Sequence, residues 1–89
     1  MNSHSDLYQK GLELAESGNH QQALECLQQF LNTSPNNPEA LNDVGAILHC
    51  LGRSEEAINY FIRARLVTRD NGEILWNLLE AYLSLGRAK

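Results

Sequence analysis

Apolar side chains recur along this chain in steps of three and four, the spacing of helices that each hide one face. The clearest stretch carries Ala23, Leu24, Leu27, Phe30 and Leu31 on one stripe. Glycines, prolines and capping residues cut the pattern into five predicted helices. The first covers about 6–17 and is closed by Gly18, which adopts a left-handed conformation without a Cβ penalty. Asn19 is expected to cap the second, over 20–33, which Ser34-Pro35 stops. Asn37-Pro38-Glu39 reads as a helix start: a capping side chain, a proline at the first helical position and an acid suited to the helix dipole. That third helix runs to about 51, ahead of Gly52. Ser54-Glu55-Glu56 opens the fourth, to about 68, with Arg63, Arg65 and Arg69 near its negative end. Asp70-Asn71-Gly72 forms the last turn before a fifth helix over 73–85.

The elements repeat at an offset of 34: Gly18, Gly52 and Gly86; Leu7, Leu41 and Leu75; Leu14, Leu48 and Tyr82. Gly11 likewise maps onto Gly45, Ala23 onto Ala57 and Leu27 onto Phe61. The chain 1–89 is thus expected to be one domain of two helix pairs, about 4–37 and 38–71, and a partial third, 72–89. Leu41-x2-Val44-Gly45-x2-Leu48 followed by Ala57-x3-Phe61, with Leu7, Gly11, Leu14, Ala23, Leu27 and Pro35 in the first copy, resembles the tetratricopeptide repeat. The pattern departs from that family at Arg69, which replaces the terminal proline, and at Leu79, which replaces the small glycine. The resemblance implies an all-α fold, a right-handed superhelix of antiparallel helix pairs with five helices.

No single helix pair of this kind can hide its own apolar face, so stacking supplies the core and leaves a concave groove that binds a partner. On the third helix Leu41, Val44, Gly45, Ile47, Leu48 and Leu51 share the core arc. Glu39, Asn42, Asp43, His49 and Cys50 lie on the other. The resemblance places that second arc in the groove, with Tyr8, Leu12 and Glu16 from the first helix and Glu73, Trp76, Asn77, Glu80 and Leu83 from the fifth. Such a lining is acidic with apolar insets, and it suits a protein or peptide that carries Lys or Arg beside a large apolar side chain. A familiar use of the family, gripping a terminal carboxylate, needs cations and amides where this chain has Tyr8, Leu12, Asp43, Glu73 and Asn77. That use is disfavoured.

Composition narrows the choice further. Eleven acidic against seven basic residues give a net charge of −4, and residues 1–52 hold six acids and one base, so nucleic acid is not an expected partner. No apolar run is long enough for a membrane span and no targeting segment opens the chain, so a cytoplasmic protein is expected. Cys26 and Cys50 form no C-x-x-C pair and read as small buried apolar residues. Adjacent side chains on a helix diverge by about 100°, so His49 and Cys50 do not make a metal site. No metal, cofactor or catalytic arrangement is expected. The fifth helix is apolar around most of its circumference, from Ile74 and Leu75 to Tyr82, Leu83 and Leu85. Two readings follow: a binding module, or a structural or homodimerising N-terminal arm of a larger, possibly enzymatic, protein; the apolar face of the fifth helix is expected to be covered either by a following helix or by a second copy through Leu79 and its neighbours.

Overall fold

Two glycines in the left-handed region, Gly18 at φ +88° and Gly52 at φ +80°, turn the chain back on itself. Each closes a helix in the same way. The N–H of Asn19 donates to the Leu14 carbonyl at 2.8 Å, and the N–H of Arg53 to the Leu48 carbonyl at 2.9 Å, satisfying carbonyls that a helix end leaves open. The computed structural model describes residues 3–88, with side chains over 6–86. These residues form α1 (Ser3–Glu16), α2 (His20–Thr33), α3 (Pro38–Cys50), α4 (Ser54–Val67) and α5 (Gly72–Ala88), with no strand among them.

Starts repeat as ends do. Asn37 Oδ1 accepts from the Ala40 N–H at 3.0 Å, and Asn71 Oδ1 from the Ile74 N–H at 3.1 Å, so α3 and α5 share one capping device. Asn19, expected to cap α2, does not: it completes the preceding turn with a non-extended backbone (φ −86°, ψ 65°), and its amide nitrogen donates to Ser17 Oγ at 3.0 Å. Gly86 also departs from expectation, because α5 passes through it to Ala88 instead of turning.

The helices stack as antiparallel pairs, α1 on α2 and α3 on α4, with α2 against α3 and α4 against α5, into a right-handed superhelix 46 × 27 × 18 Å. Bare backbone sets the closeness of each pair. A Cβ on Gly11 would meet the Leu27 side chain at 2.8 Å, and one on Gly45 would meet the Phe61 ring at 2.5 Å. Both Leu27 and Phe61 lie in the core with Ala23, Leu41, Leu48 and Ala57. Three residues depart from the expected core: Leu51 and Cys50, where α3 gives way to the turn at Gly52, are exposed, and Cys26 in the middle of α2 is half-buried.

Candidate functional site

The odd-numbered helices lie side by side, and a polar ladder on them repeats with the helices. The Tyr8 hydroxyl on α1 donates to Asp43 Oδ2 on α3 at 2.8 Å; Asn77 Nδ2 on α5 donates to Asn42 Oδ1 on α3 at 3.0 Å. Both contacts span 35 residues and use equivalent positions of successive helix pairs. Tyr8 is also braced from behind by Phe30, ring centroids 5.0 Å apart. Asn42, assigned to the groove on its helical arc, is buried and serves to tie α3 to α5.

Charge on this face is one-sided. Burial raises the Asp43 carboxyl above its ordinary value; the Tyr8 hydrogen bond works against that rise, while Glu73 and Glu39 nearby reinforce it. Burial likewise pushes the Tyr8 hydroxyl up, helped by Asp43, so Tyr8 stays a neutral donor. Because the folded value of Asp43 lies above the unfolded value near 3.8, its charged form opposes folding. The penalty sets in as pH rises from that unfolded value through the folded one, and it is absent in stronger acid. Asp43→Asn keeps an acceptor for Tyr8 and removes the charge. Thermal melts should show this variant a few degrees more stable at pH 7, about 2–5 °C, with the advantage vanishing toward pH 3. A lower melting temperature at neutral pH contradicts this reading.

Between α1 and α3 lies a hollow of about 210 Å³ lined by Leu12, Ala15, Ala46, Ile47 and Cys50, with Asp43 and His20 at its edges. Its walls are almost wholly apolar, and the buried Nδ1 of His20 has no hydrogen-bond partner among the described residues. The sequence pointed to Leu12, Asp43 and Cys50 here and assigned Ile47 to the core. It missed Ala15, Ala46 and His20, whose only signal was smallness at groove register or a place at a helix start. A second, smaller hollow near the N-termini of α3 and α5 is lined by Glu39, Asn42, Glu73 and Ile74 among others.

The other expected residues differ in exposure and surroundings. Glu16, Glu39, Glu73 and Glu80 are exposed, Trp76 is 60% exposed and Leu83 is 48% exposed, whereas Asn77 is half-buried. His49 is half-buried and lies 3.3 Å from Ser54 Oγ, which in turn donates to Ser84 Oγ at 3.4 Å, so it belongs to a polar junction of α3, α4 and α5. No group of three or more His, Cys, Asp or Glu side chains among the described residues could hold a metal ion, and no described helix is long and apolar enough to cross a membrane.

The sequence model of the tetratricopeptide repeat matches residues 14–81. The chain belongs to the tetratricopeptide repeat family. Its curated relatives include photosystem I assembly protein Ycf3 of Synechococcus elongatus, 46% identical over 54 residues that cover 60% of this chain and 31% of that protein. Ycf3 of Acaryochloris marina is 42% identical over 50 residues, covering 56% and 30%. The matched segment thus spans about a third of those relatives. Among solved tetratricopeptide repeat structures, the first such domain of Spaghetti (RPAP3), bound to the HSP90 peptide SRMEEVD, superposes with a TM-score of 0.89 at 18% identity, covering 94% of this chain and 67% of that one. The Sgt2 domain from Aspergillus fumigatus gives 0.89 at 20% identity, covering 98% and 58%, and a MamA mutant 0.90 at 23%, covering 98% and 64%.

Proposed function

We propose that this tetratricopeptide repeat module binds a protein segment along the face formed by α1, α3 and α5, and that the segment carries Lys or Arg beside a large apolar side chain. The observation that supports this most is the apolar hollow between α1 and α3 with Asp43 at its rim and Glu39 and Glu73 close by. An apolar anchor fills the hollow while a neighbouring cation meets carboxylates that form no ion pair among the described residues. Binding then relieves the like-charge repulsion on Asp43, so electrostatics adds orientation and rate to affinity that the buried anchor supplies. Related proteins are consistent with the coarse reading: one is a photosystem I assembly protein, and one structure holds a bound peptide. That peptide, SRMEEVD, is acidic, and Asp43 and Glu73 make this groove a poor match for such a ligand.

Panning a random octapeptide library on the chain tests the proposal. The expected consensus pairs Lys or Arg with Leu, Phe or Trp, and an acidic consensus contradicts it. Trp76 is mostly exposed, so Trp76→Ala should leave the fold intact while weakening the selected peptides about tenfold, as loss of an aromatic anchor does. Unchanged affinity removes Trp76 from the site.

A further inference from the structure

Between α2 and α4 lies an open hollow of about 450 Å³, lined by Gln28, Leu31, Asn32 and Pro35 on the α2 side and by Tyr60 and Arg63 of α4. No residue of α1, α3 or α5 lines it, so its chemistry is independent of the groove. It is also of opposite sign. The Arg63 guanidinium lies 5.1 Å from the centre of the Tyr60 ring, and its Nη2 reaches the Pro35 carbonyl at 3.5 Å, the outer limit of a hydrogen bond. No carboxylate lines the hollow, and Arg63 forms no ion pair among the described residues. Stacking of the helix pairs does not require these side chains. The positions 34 before Tyr60 and Arg63 hold Cys26 and Gln29, and those 34 after Gln28 and Asn32 hold Ile62 and Leu66.

We propose that this hollow binds an extended, acidic segment of a partner protein, with an Asp or Glu carboxylate on Arg63 and the segment's main chain on Gln28 and Asn32. Charge fixes the first contact. A guanidinium presents its donors in a planar fork that a carboxylate matches, and this one is steadied by the Tyr60 ring while its bond to Pro35 is weak enough to be exchanged. Spacing fixes the second. Gln28 and Asn32 stand one turn apart, about 6 Å along α2, and an extended chain repeats its orientation every two residues, about 6.6 Å. Each side-chain amide offers a donor and an acceptor, the pair that a peptide group offers in return. Leu31, which is buried, and Tyr60, half-buried, give an apolar side chain next to the acid something to pack on. Nucleic acid is also anionic, but a net charge of −4 disfavours it.

Two N-acetylated, C-amidated peptides, one alternating Glu and Leu and the other Gln and Leu, read this in an NMR titration of the whole chain, with the side-chain amides of Gln28 and Asn32 as reporters. The Glu peptide should shift both amides saturably and bind about three- to fivefold more tightly than the Gln peptide. Arg63→Gln should erase that difference, and Asn32→Ala should weaken both peptides. Both residues are exposed, and unchanged helical circular dichroism confirms that the variants fold. Acetate at the same carboxylate concentration should leave the two amides unmoved. The proposal is overturned by absence of shifts at these amides, by equal affinity for the two peptides, by a preference that Arg63→Gln does not remove, by native affinity in Asn32→Ala, or by acetate reproducing the shifts. It is also overturned if an oligothymidylate displaces the Glu peptide and binds more tightly, since the occupant is then a nucleic acid.

Discussion

Phe61→Ala is expected to lower the stability of this module by about 3–5 kcal/mol, and its melting temperature by about 15 °C or more. Phe61 is 1% exposed, and its ring lies on the bare backbone of Gly45, where helix α3 comes nearest to α4. Neither neighbour can collapse into the space left by the ring. A glycine has no side chain to move, and the helices are held by their own hydrogen bonds. A domain of this size holds a total of about 0.05–0.15 kcal/mol per residue, so the loss takes a large share of it. The effect also spreads, because α4 packs on both α3 and α5 and a stacked array transmits the failure of its middle unit to both sides. Leu66→Ala is the matched control: Leu66 is 67% exposed, and its loss should change stability by less than about 0.5 kcal/mol. Equal effects of the two substitutions in thermal or urea melts contradict the packing described.

Reversing the charge at Glu39 and Glu73 together should weaken a Lys/Arg-containing ligand by about ten- to a hundredfold, since each lysine removes an attraction and adds a repulsion. Both side chains are exposed, so the fold tolerates the change. Surface charges are screened, and the gap between native and variant should narrow as salt rises to about 1 M. Binding should also depend on pH with a definite sign. The carboxyl of Asp43, raised by burial, takes up its proton at higher pH than an ordinary aspartate, and a bound cation favours its ionised form. Affinity therefore rises with pH through the carboxylate range and levels off toward neutrality. Titration calorimetry on native and Glu39→Lys/Glu73→Lys chains, at low and high salt, checks the magnitude and the screening together.

The helices themselves were legible in the sequence because they rest on local rules: glycine at the two turns, asparagine at the start of α3, and apolar residues in helical steps; the Asn71 cap of α5 was read only as part of a turn. Gly11 and Gly45 were visible as a repeated small residue that lets paired helices approach; that they lie against Leu27 and Phe61 was not. The exceptions arise where a residue serves two neighbours at once. Asn19 follows a left-handed glycine and is held by that turn, so its side chain does not reach back to cap α2. Gly86 occupies the register of a turn, but glycine permits reversal without enforcing it. The groove was expected as a set of positions on three helices, Tyr8, Asp43, Glu73 and Trp76 among them, of which Tyr8 and Asp43 meet in a hydrogen bond. Its hollow was not, because Ala15, Ala46 and His20 matter there for the space they leave between helices, which no single helix reveals. Asn42 shows the same limit from the other side. Its helical arc puts it on the groove, and only the neighbour Asn77 explains why it is buried.

The account rests on the inner face gripping a cationic, apolar segment. Its most direct test is an amide-resolved NMR titration of the chain with an N-acetylated, C-amidated peptide of alternating Arg and Leu, which offers no terminal carboxylate. Shifts should concentrate at Leu12, Asp43, Ala46, Glu73 and Trp76 and fade at high salt. Shifts confined to the outer helices α2 and α4, or none at millimolar peptide, contradict the account.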